Sequence, residues 1–499
     1  MVTISQELYV GRENTRPMTE PSKNYVNGEW VASETGETAE VTNPANPSEV
    51  VATYQHSNEN DAAAAVDAAV AAEDEWRNTP GPERGRILRE AGTLLAQRKD
   101  ELTEILIAEE GKARPEAAGE VQRAIDIFHY FSTKAADLGG ARKGASGPNT
   151  NLYTRQEPVG VAALITPWNY PIAIPAWKLA PALAAGNTVV LKPASIAPGV
   201  VVEIARALDE AGLPDGVLNV VTGPGSSVGS EFIGNEGTDL VSFTGSSQVG
   251  EMVYEQATDA GKRVQTELGG KNPTLVADSA DPAEAADIVA NGGFGTTGQS
   301  CTACSRAIVH EDVYDDFVAE LVDRAESLDV GPGTDHEMGP QVSESELSST
   351  LEYIDIAEGE GATLVAGGGV PEGEEVETGH FVEPTVFTDV DSDMRIAQEE
   401  VFGPVVAVIE VSDFDEGLAV ANDVDYGLSA SVVTDDHTEA NRFVDEAEAG
   451  VVKVNDKTTG LELHVPFGGF KRSSSETWRE QGDAGLDFYT IEKTVYDNY

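Results

Sequence analysis

Hydrophobic and polar positions alternate along the chain in two patterns, one typical of amphipathic helices and one of short buried strands. Apolar positions spaced three and four residues apart predict long helices over residues 58–76 and 81–112. Short apolar runs that end at a glycine, proline or threonine predict strands near residues 159, 188, 218 and 240, and again after residue 270. Because helices that join parallel strands build doubly wound sheets, the pattern predicts an α/β fold with ligands beyond the carboxyl ends of the strands.

The longest apolar region, residues 159–191, is interrupted by four prolines, an asparagine and a lysine. Proline breaks helical hydrogen bonding, so this region cannot cross a bilayer as one helix, and we expect buried strands and turns. A chain of 499 residues is too long for one hydrophobic core. The change of pattern near residue 260 predicts a domain boundary there.

Net charge is the most unusual bulk property, because 87 acidic and 32 basic residues give −55 at pH 7. Like charge opposes binding to nucleic acid or to an anionic membrane. The acidic residues are dispersed, which suits concentrated salt, where screening over roughly 3 Å at 1 M removes self-repulsion. We therefore expect a halophilic protein that needs molar salt. Residues 1–17 lack a signal-peptide pattern, which favours the cytoplasm.

Both cysteines of the chain, Cys301 and Cys304, lie in the segment GFGTTGQSCTACSR. Three interpretations are open from the residues alone: a nucleophile with a neighbour, a redox C-x-x-C pair at a helix start, and two core thiols. A zinc site would need further soft ligands, and the seven histidines, including His310 and His464, show no ligand spacing. We therefore expect no metal.

Further polar groups follow the predicted strands. Lys192 in LKPAS, Asn169 in TPWNYP and Gly245 with Ser246 in SFTGSSQVG each have an ordinary explanation as a solvated lysine, a turn asparagine or a strand-to-helix turn. Alternatively, the lysine binds a ribose or phosphate, the asparagine donates to an oxyanion, and the glycine turn receives a phosphate at a helix N-terminus. Glu267 in QTELGGKNP is a candidate base only if its context supports that role.

Taken in order, the segments TPWNYP, KPAS, FTGSSQVG, ELGGKNP, GQSCTACSR, EEVFGP and PFGGFKRSSS resemble the NAD(P)-dependent aldehyde dehydrogenase superfamily. The similarity extends from YVNGEW near residue 25 to FYTIEKTVY near residue 496. It implies two doubly wound parallel-sheet domains plus a small β oligomerisation arm, and hence a dimer or tetramer. The implied limits are 1–134 and 154–260 for the nucleotide-binding domain, 261–470 for the catalytic domain, and 135–153 and 471–499 for the arm.

The resemblance also implies catalytic roles. Cys301 stands at the nucleophile, Glu267 at the general base and Asn169 at the oxyanion donor, with Lys178 in the same apparatus. The Cys301 thiolate would attack the aldehyde, hydride would pass to the nicotinamide, and water activated by Glu267 would hydrolyse the thioester. Cys304 has no assigned catalytic role, and we expect it to be a packing residue or a weak resolving thiol. The implied cofactor contacts are Thr166, Trp168, Lys192, Ser195, Gly245, Ser246, Glu400 and Phe402.

The cofactor preference is read from one departure from the family pattern. Strictly NAD-using relatives carry a glutamate for the adenosine ribose hydroxyls where this chain has Ser195. A carboxylate would repel a 2′-phosphate and serine would not, so NADP, or use of both cofactors, is favoured over NAD alone.

The substrate is suggested by likeness and by one helix position. The tail TWREQGDAGLDFYTIEKTVY and GQSCTACSR look most like the branch that oxidises 2-oxoglutarate semialdehyde in sugar breakdown. Arg123 either clamps a substrate carboxylate or pairs with Glu120 or Asp126 on its own helix. Tyr170 and Trp177 are further candidate substrate contacts. The alternatives are a succinate-semialdehyde or broad-specificity aldehyde dehydrogenase and, in another class, a cofactor-independent cysteine esterase.

Overall fold

The structure is a computed structural model that describes residues 20–475 and 477–499, so the expectation for residues 1–17 lies outside the described residues. None of the helices in these ranges combines the length and apolar character that a membrane crossing requires. The α-helices of the described residues are α1 (Glu59–Asn78), α2 (Gly81–Gln97), α3 (Lys99–Glu110), α4 (Arg114–Asp137), α5 (Ala173–Ala185), α6 (Gly199–Glu210), α7 (Ser230–Gly234), α8 (Ser247–Asp259), α9 (Pro282–Gly293), α10 (Glu311–Ser327), α11 (Glu344–Glu360), α12 (Arg395–Gln398), α13 (Phe414–Asn422), α14 (His437–Glu446) and α15 (Gly482–Tyr489).

The strands of the same ranges form two large sheets and three small ones. They are β1 (Asn24–Val26), β2 (Glu29–Val31), β3 (Thr38–Asn43), β4 (Asn46–Gln55), β5 (Arg142–Lys143), β6 (Thr150–Pro158), β7 (Val161–Ile165), β8 (Thr188–Lys192), β9 (Leu218–Val220), β10 (Leu240–Thr244), β11 (Arg263–Glu267), β12 (Asn272–Val276), β13 (Cys304–His310), β14 (Thr363–Ala366), β15 (Thr385–Thr388), β16 (Val405–Val411), β17 (Tyr426–Gly427), β18 (Ser429–Val433), β19 (Val451–Val454), β20 (Phe470–Lys471) and β21 (Thr490–Asn498).

The first large sheet has the strand order β11-β10-β7-β8-β9-β1-β2 and is parallel from β11 to β9. Both of its faces are covered by helices. Ala162 and Leu164 of β7 pack in the core that includes α4, α5 and α6. Val161, Ala163 and Ile165 pack on the other face with α1 and α8. The strand order reverses between β7 and β10, and such a switch point opens a ligand crevice beyond the carboxyl ends of the strands.

The second large sheet has the order β14-β15-β16-β13-β12-β18-β19 and is parallel except at the β14 edge. The chain passes from the carboxyl end of β11 in the first sheet to β12 in the second within four residues, 268–271. Cys301 lies three residues before β13. The connection therefore brings the last residue of β11, Glu267, towards the start of β13.

A third sheet joins distant parts of the chain. β21 pairs antiparallel with β6 from Thr490 opposite Pro158 to Asn498 opposite Thr150, and β5 pairs with the other edge of β6. The α/β fold predicted from the sequence, with two doubly wound sheets and a small β element, is confirmed.

Two local predictions were wrong. Residues 81–112 form two helices rather than one long one, because the backbone leaves the helical conformation at Arg98, with φ −107° and ψ 15°, where the guanidinium bonds to Glu203 and Glu210. Residues 159–191 contain the wholly buried helix α5 between two strands, not strands and turns alone. α5 tolerates Pro175 because the first turn of a helix needs no N–H partner.

Candidate active site

Cys301 lies in the loop between the 3₁₀ turn Gly295–Gly298 and β13, where it contributes to the walls of two cavities. The aromatic cavity, of about 390 Å³, is lined by Tyr170, Trp177 and Phe467 among others. The glycine cavity, of about 200 Å³, is lined by Gly245 and Gly269 among others. A reagent in either space can therefore reach the same thiol.

The two thiols have different environments. Cys301 is half-buried, and burial, followed by the negative charges of Glu400 and Glu267, raises the pKa of its thiol. Cys304 is the first residue of β13 and is 1% exposed, with its Sγ 3.2 Å from Thr274 Oγ1. Burial raises the pKa of Cys304 to about 11. Both cysteines are free; Cys301 precedes a strand and Cys304 begins it, so neither stands at the helix start that the redox-pair interpretation requires.

Glu267 ends β11 and is buried beside the thiol. Its Oε2 accepts the N–H of Gly469 at 3.3 Å, while its Oε1 has no hydrogen-bond partner within the described ranges. Burial, reinforced by the negative charge of Glu480, raises the pKa of Glu267 well above its ordinary value. A buried carboxyl with a raised pKa holds a proton more tightly than an ordinary carboxyl does, so it is a stronger base towards water.

Lys178 lies on α5 and is bonded away from the thiol. Its Nζ donates to Ser242 Oγ at 2.7 Å and to Glu480 Oε1 in a buried ion pair. Glu480 Oε2 has no partner among the described residues, and its charge acts on both Glu267 and Cys301. Sequence reasoning missed Glu480, because one glutamate among 87 acidic residues carries no local signal.

Asn169 follows β7 and lines the glycine cavity with Cys301. Its side-chain Nδ2 donates to the carbonyl oxygen of Gln299 at 3.1 Å, and its Oδ1 accepts the N–H of Tyr170 at 3.1 Å. These two bonds fix the plane of the amide. Because an amide nitrogen carries two hydrogens, one remains for an oxygen atom next to Cys301.

The glycine cavity also collects predicted cofactor contacts. The rings of Trp168 and Phe402 meet edge to face at 5.4 Å. Glu400 Oε1 accepts the N–H of Gly270 at 3.0 Å, and burial raises the pKa of Glu400 to about 7. A Cβ at Gly269 would lie 2.1 Å from Glu400 Oε2, so glycine is required for this close approach.

The remaining contacts follow the carboxyl edge of the first sheet. Gly245 and Ser246 line the glycine cavity and lead into α8, whose first N–H groups favour an anion. Thr166, Lys192 and Ser195 lie outside the lining of both cavities. Thr166 Oγ1 is buried and has no hydrogen-bond partner in the described part of the chain, Lys192 Nζ donates to the Pro193 carbonyl oxygen, and Ser195 Oγ donates to that of Gly223. Burial lowers the pKa of Lys192 to about 8.

The aromatic cavity carries two cations, Arg123 and Lys457. Arg123 Nη2 donates to Gln481 Oε1 at 3.2 Å, and burial lowers the pKa of the guanidinium. Within residues 20–475 and 477–499 neither cation forms an ion pair with a carboxylate; the pairing of Arg123 with Glu120 or Asp126 is not formed, because these carboxylates bond to Lys112 and Gln122. Glu116 and Glu120 also line this cavity, but they accept hydrogen bonds from the Thr296 N–H and from Lys112, so both cations remain available to an anionic ligand.

Tyr170 and Trp177 also lie where the sequence placed them, in the wall of the aromatic cavity. The hydroxyl of Tyr170 donates to Ser300 Oγ at 3.3 Å, and the ring of Trp177 lies 6.1 Å from that of Phe467. These rings make one part of the wall apolar, and the Tyr170 hydroxyl is held beside the Cys301 loop.

One group of possible metal-ligating atoms occurs elsewhere in the described ranges, at Asp278, His310 and Asp312. It lies at the far end of β13 from Cys304. His310 Nδ1 accepts the backbone N–H of Asp312 as a helix cap, so this nitrogen already has a hydrogen-bond partner within the protein.

Comparison with known proteins gives consistent matches over nearly the whole chain. The profile of the "Aldehyde dehydrogenase family" matches residues 30–495. The chain is 97% identical over 482 residues to an alpha-ketoglutarate semialdehyde dehydrogenase of Haloferax volcanii, covering 97% of this chain and 100% of the relative. It is 46% identical over 460 residues to a 2,5-dioxopentanoate dehydrogenase of Saccharolobus solfataricus, covering 92% and 95%.

Solved structures match as well. A betaine aldehyde dehydrogenase of Staphylococcus aureus in complex with NAD+ is 36% identical, with a TM-score of 0.93 over 96% of this chain and 95% of that one. A 3,6-anhydro-L-galactose dehydrogenase in complex with NADP is 37% identical, with a TM-score of 0.92 over 96% and 100%.

Proposed function

The chain belongs to the aldehyde dehydrogenase family, and from this premise we propose that it oxidises 2-oxoglutarate semialdehyde to 2-oxoglutarate with a nicotinamide cofactor. The resemblance read from its motifs is thereby confirmed. The names of the relatives from Haloferax volcanii and Saccharolobus solfataricus denote this same aldehyde, which is also called 2,5-dioxopentanoate. The observation that carries the proposal is the position of Cys301 in the walls of both cavities.

The aromatic cavity supports a carboxylated aldehyde. The substrate carries a carboxylate at the end remote from its aldehyde, and Arg123 and Lys457, which form no ion pair with any described carboxylate, lie in the cavity that Cys301 lines. A guanidinium can hold a carboxylate through two parallel hydrogen bonds. Succinate semialdehyde, which also carries a carboxylate, is the second candidate substrate.

The glycine cavity suits the nicotinamide end of the cofactor. Gly245 and Gly269 line it without side chains, the N-terminus of α8 favours phosphate, and Trp168 and Phe402 offer aromatic surfaces. A cofactor-independent esterase would not need a second cavity beside its nucleophile with these features of a nucleotide site.

The chain's own residues account for the steps around hydride transfer. The Cys301 thiol releases its proton to water, and the thiolate attacks the aldehyde carbon; the oxyanion that forms accepts N–H groups from the Asn169 side chain and the Cys301 backbone. When bound, the nicotinamide supplies a hydride acceptor. Oxidation leaves a thioester on Cys301. Glu267 takes a proton from water, the water oxygen attacks the thioester carbon, and the carbon–sulfur bond breaks to release the acid and the thiolate.

The role proposed for Arg123 is tested by the Arg123→Gln variant on a panel of aldehydes in molar salt. We expect KM for 2-oxoglutarate semialdehyde and succinate semialdehyde to rise about 10- to 100-fold, the equivalent of a lost charged hydrogen bond. KM for uncharged aliphatic and aromatic aldehydes should change less than about threefold. Lys134→Gln, on the same helix but paired with Asp483 outside the cavity, is the matched control. An equal rise in KM for charged and uncharged aldehydes would rule out the clamp.

The proposed preference for NADP, or for both cofactors, rests on Ser195. The Ser195→Glu variant should lose at least about tenfold in kcat/KM with NADP relative to NAD, because a carboxylate repels the 2′-phosphate. Ser195→Ala, which removes the hydroxyl without adding charge, should keep the original ratio. The measurement is kcat/KM of wild type and both variants with each cofactor. A preference of tenfold or more for NAD in the wild type would contradict the proposal.

The proposed quaternary structure is a dimer or a tetramer. Tyr496 is 70% exposed and Ile491 53% exposed on β21, and Tyr153 is exposed on the neighbouring β6. The register puts Tyr153 and Ile491 on one face of the three-stranded sheet and Tyr496 on the other, so each face exposes apolar groups that favour burial against another copy. A solution mass of 52.6 kDa by light scattering in molar salt would contradict it. The predicted domain limits and a cytoplasmic location remain part of the proposal.

A further inference from the structure

A buried lysine and glutamate lie behind the loop that carries Asn169. Lys112 follows α3, Glu120 lies on α4, and their side chains are 1% and 3% exposed. Lys112 Nζ donates to Glu120 Oε2 at 2.6 Å and to the backbone carbonyl oxygen of Asn169 at 2.8 Å. Glu120 Oε1 accepts the N–H groups of Ile172 at 3.0 Å and Ala173 at 3.1 Å. The ion pair thus holds both ends of residues 169–173.

Core stability alone does not explain such a pair. Taking two charges out of water is costly, and apolar residues of similar volume often serve a core equally well. Here the two side chains direct their remaining hydrogen bonds at one short segment. Lys112 Nζ also lies 4.5 Å from the centre of the Tyr170 ring, in the same segment. Burial alone would lower the pKa of Lys112, but the carboxyls of Glu110 and Glu120 outweigh it and raise the pKa.

We propose that Lys112 and Glu120 are positioning residues that hold the Asn169 side chain at Cys301. The inference rests on the proposed function, in which the Asn169 amide stabilises the oxyanion. The Lys112 bond fixes the peptide carbonyl of Asn169, and the Glu120 bonds fix the start of α5, so the backbone that aims the amide is held from both sides. A displacement of about 1 Å at such a group can cost about 100-fold in rate.

The test replaces the charges without changing the volume. In Lys112→Met/Glu120→Gln the glutamine oxygen can still accept the N–H groups of residues 172 and 173, while the anchor on the Asn169 carbonyl, the cation over the Tyr170 ring and the ion pair with Glu110 are lost. Burial raises the pKa of Glu110 to about 8, so this carboxyl can take up a proton when its partner is removed. Lys112→Met alone leaves both Glu110 and Glu120 without their cation and is the harsher variant. Lys99→Met is the control, because Lys99 also bonds α3 to α4, through Gln122, but does not contact the Asn169 loop.

The readout is the pre-steady-state burst of reduced cofactor formed from 2-oxoglutarate semialdehyde, with thermal unfolding measured in parallel. Asn169→Ala should slow the burst about 100-fold. The neutral double variant should slow it about 10- to 100-fold, with KM for the cofactor changed less than about threefold. Added to Asn169→Ala, the double change should cost less than about threefold more, because both act on one group. Lys99→Met should leave the burst unchanged.

Three results would overturn the inference. A folded double variant with a normal burst would show that the anchor is not needed. A loss that multiplies fully with that of Asn169→Ala would show that Lys112 and Glu120 act elsewhere. If Asn169→Ala itself left the burst unchanged, the proposed role of Asn169 would fail and the inference with it. If the double variant does not fold, the burst is measured in Glu120→Asp, whose side chain is one methylene shorter. A normal burst, or a loss that multiplies fully with that of Asn169→Ala, would again overturn the inference.

Discussion

Replacing Cys301 by alanine is expected to abolish aldehyde oxidation, with a fall in kcat of at least about 10⁴-fold. The expectation follows from the loss of the only group that can form the covalent intermediate, and loss of a nucleophile elsewhere costs about 10⁶-fold. Cys301 lines both cavities and Cys304, the other thiol of the chain, lines neither, so Cys304 cannot replace it. The measurement is the steady-state rate of cofactor reduction in molar salt with 2-oxoglutarate semialdehyde.

Cys304→Ala is the matched control for this prediction. Cys304 is buried in the core of the second sheet, with its sulfur against Thr274. Its removal should lower stability, through the small cavity left behind, and leave kcat within about twofold. Loss of activity in Cys304→Ser together with an active Cys301→Ser would favour a thiol–disulfide module and overturn the account.

Replacing Glu267 by glutamine should separate the two halves of the reaction. Without its base, thioester hydrolysis should slow about 10²- to 10⁴-fold, while the first turnover still yields one equivalent of reduced cofactor per site. Because the pKa of Glu267 is raised well above its ordinary value, its active carboxylate form increases as pH rises. In a plot of rate against pH, hydrolysis by the wild type should therefore rise as the pH passes through this raised pKa. The Glu267→Gln variant should not show that rise.

Glu480→Gln checks the cause of this pH dependence. Glu480 carries the negative charge that raises the pKa of Glu267, and its removal also frees the Lys178 cation, which lowers that pKa. In Glu480→Gln the rise of the hydrolysis rate with pH should therefore occur at lower pH. The first turnover should still yield one equivalent of reduced cofactor per site. A steady-state pH profile that is the same in wild type and Glu480→Gln would show that another group limits hydrolysis.

The sequence predicted the architecture well because the signals were local. The strand of residues 188–192 is apolar at three consecutive positions out of five and wholly buried, so its apolar run marks a strand covered on both faces. Asn169, Glu267 and Cys301 belong to motifs that are each read within a few residues. Helical detail was harder, because Arg98, where the helix breaks, has its ionic partners more than 100 residues away.

The supporting residues of the site could not be predicted from the sequence. Glu480 reaches Lys178 across 302 positions of the chain, and Gln481 reaches Arg123 across 358. Lys112 acts on a backbone carbonyl, a contact that no residue pattern records. Such partners are selected by the way the sheets and helices pack, so they appear only once the fold is known.

The central claim is that Cys301 carries the acyl group between oxidation and hydrolysis. The direct measurement is mass spectrometry of the Glu267→Gln variant, quenched in acid after one turnover with 2-oxoglutarate semialdehyde and oxidised cofactor, then fragmented to locate the modified sulfur. The account predicts one 2-oxoglutaryl thioester per chain, on Cys301 and not on Cys304. Reduced cofactor formed in that turnover with no acyl group on Cys301, or with the group on Cys304, would contradict it.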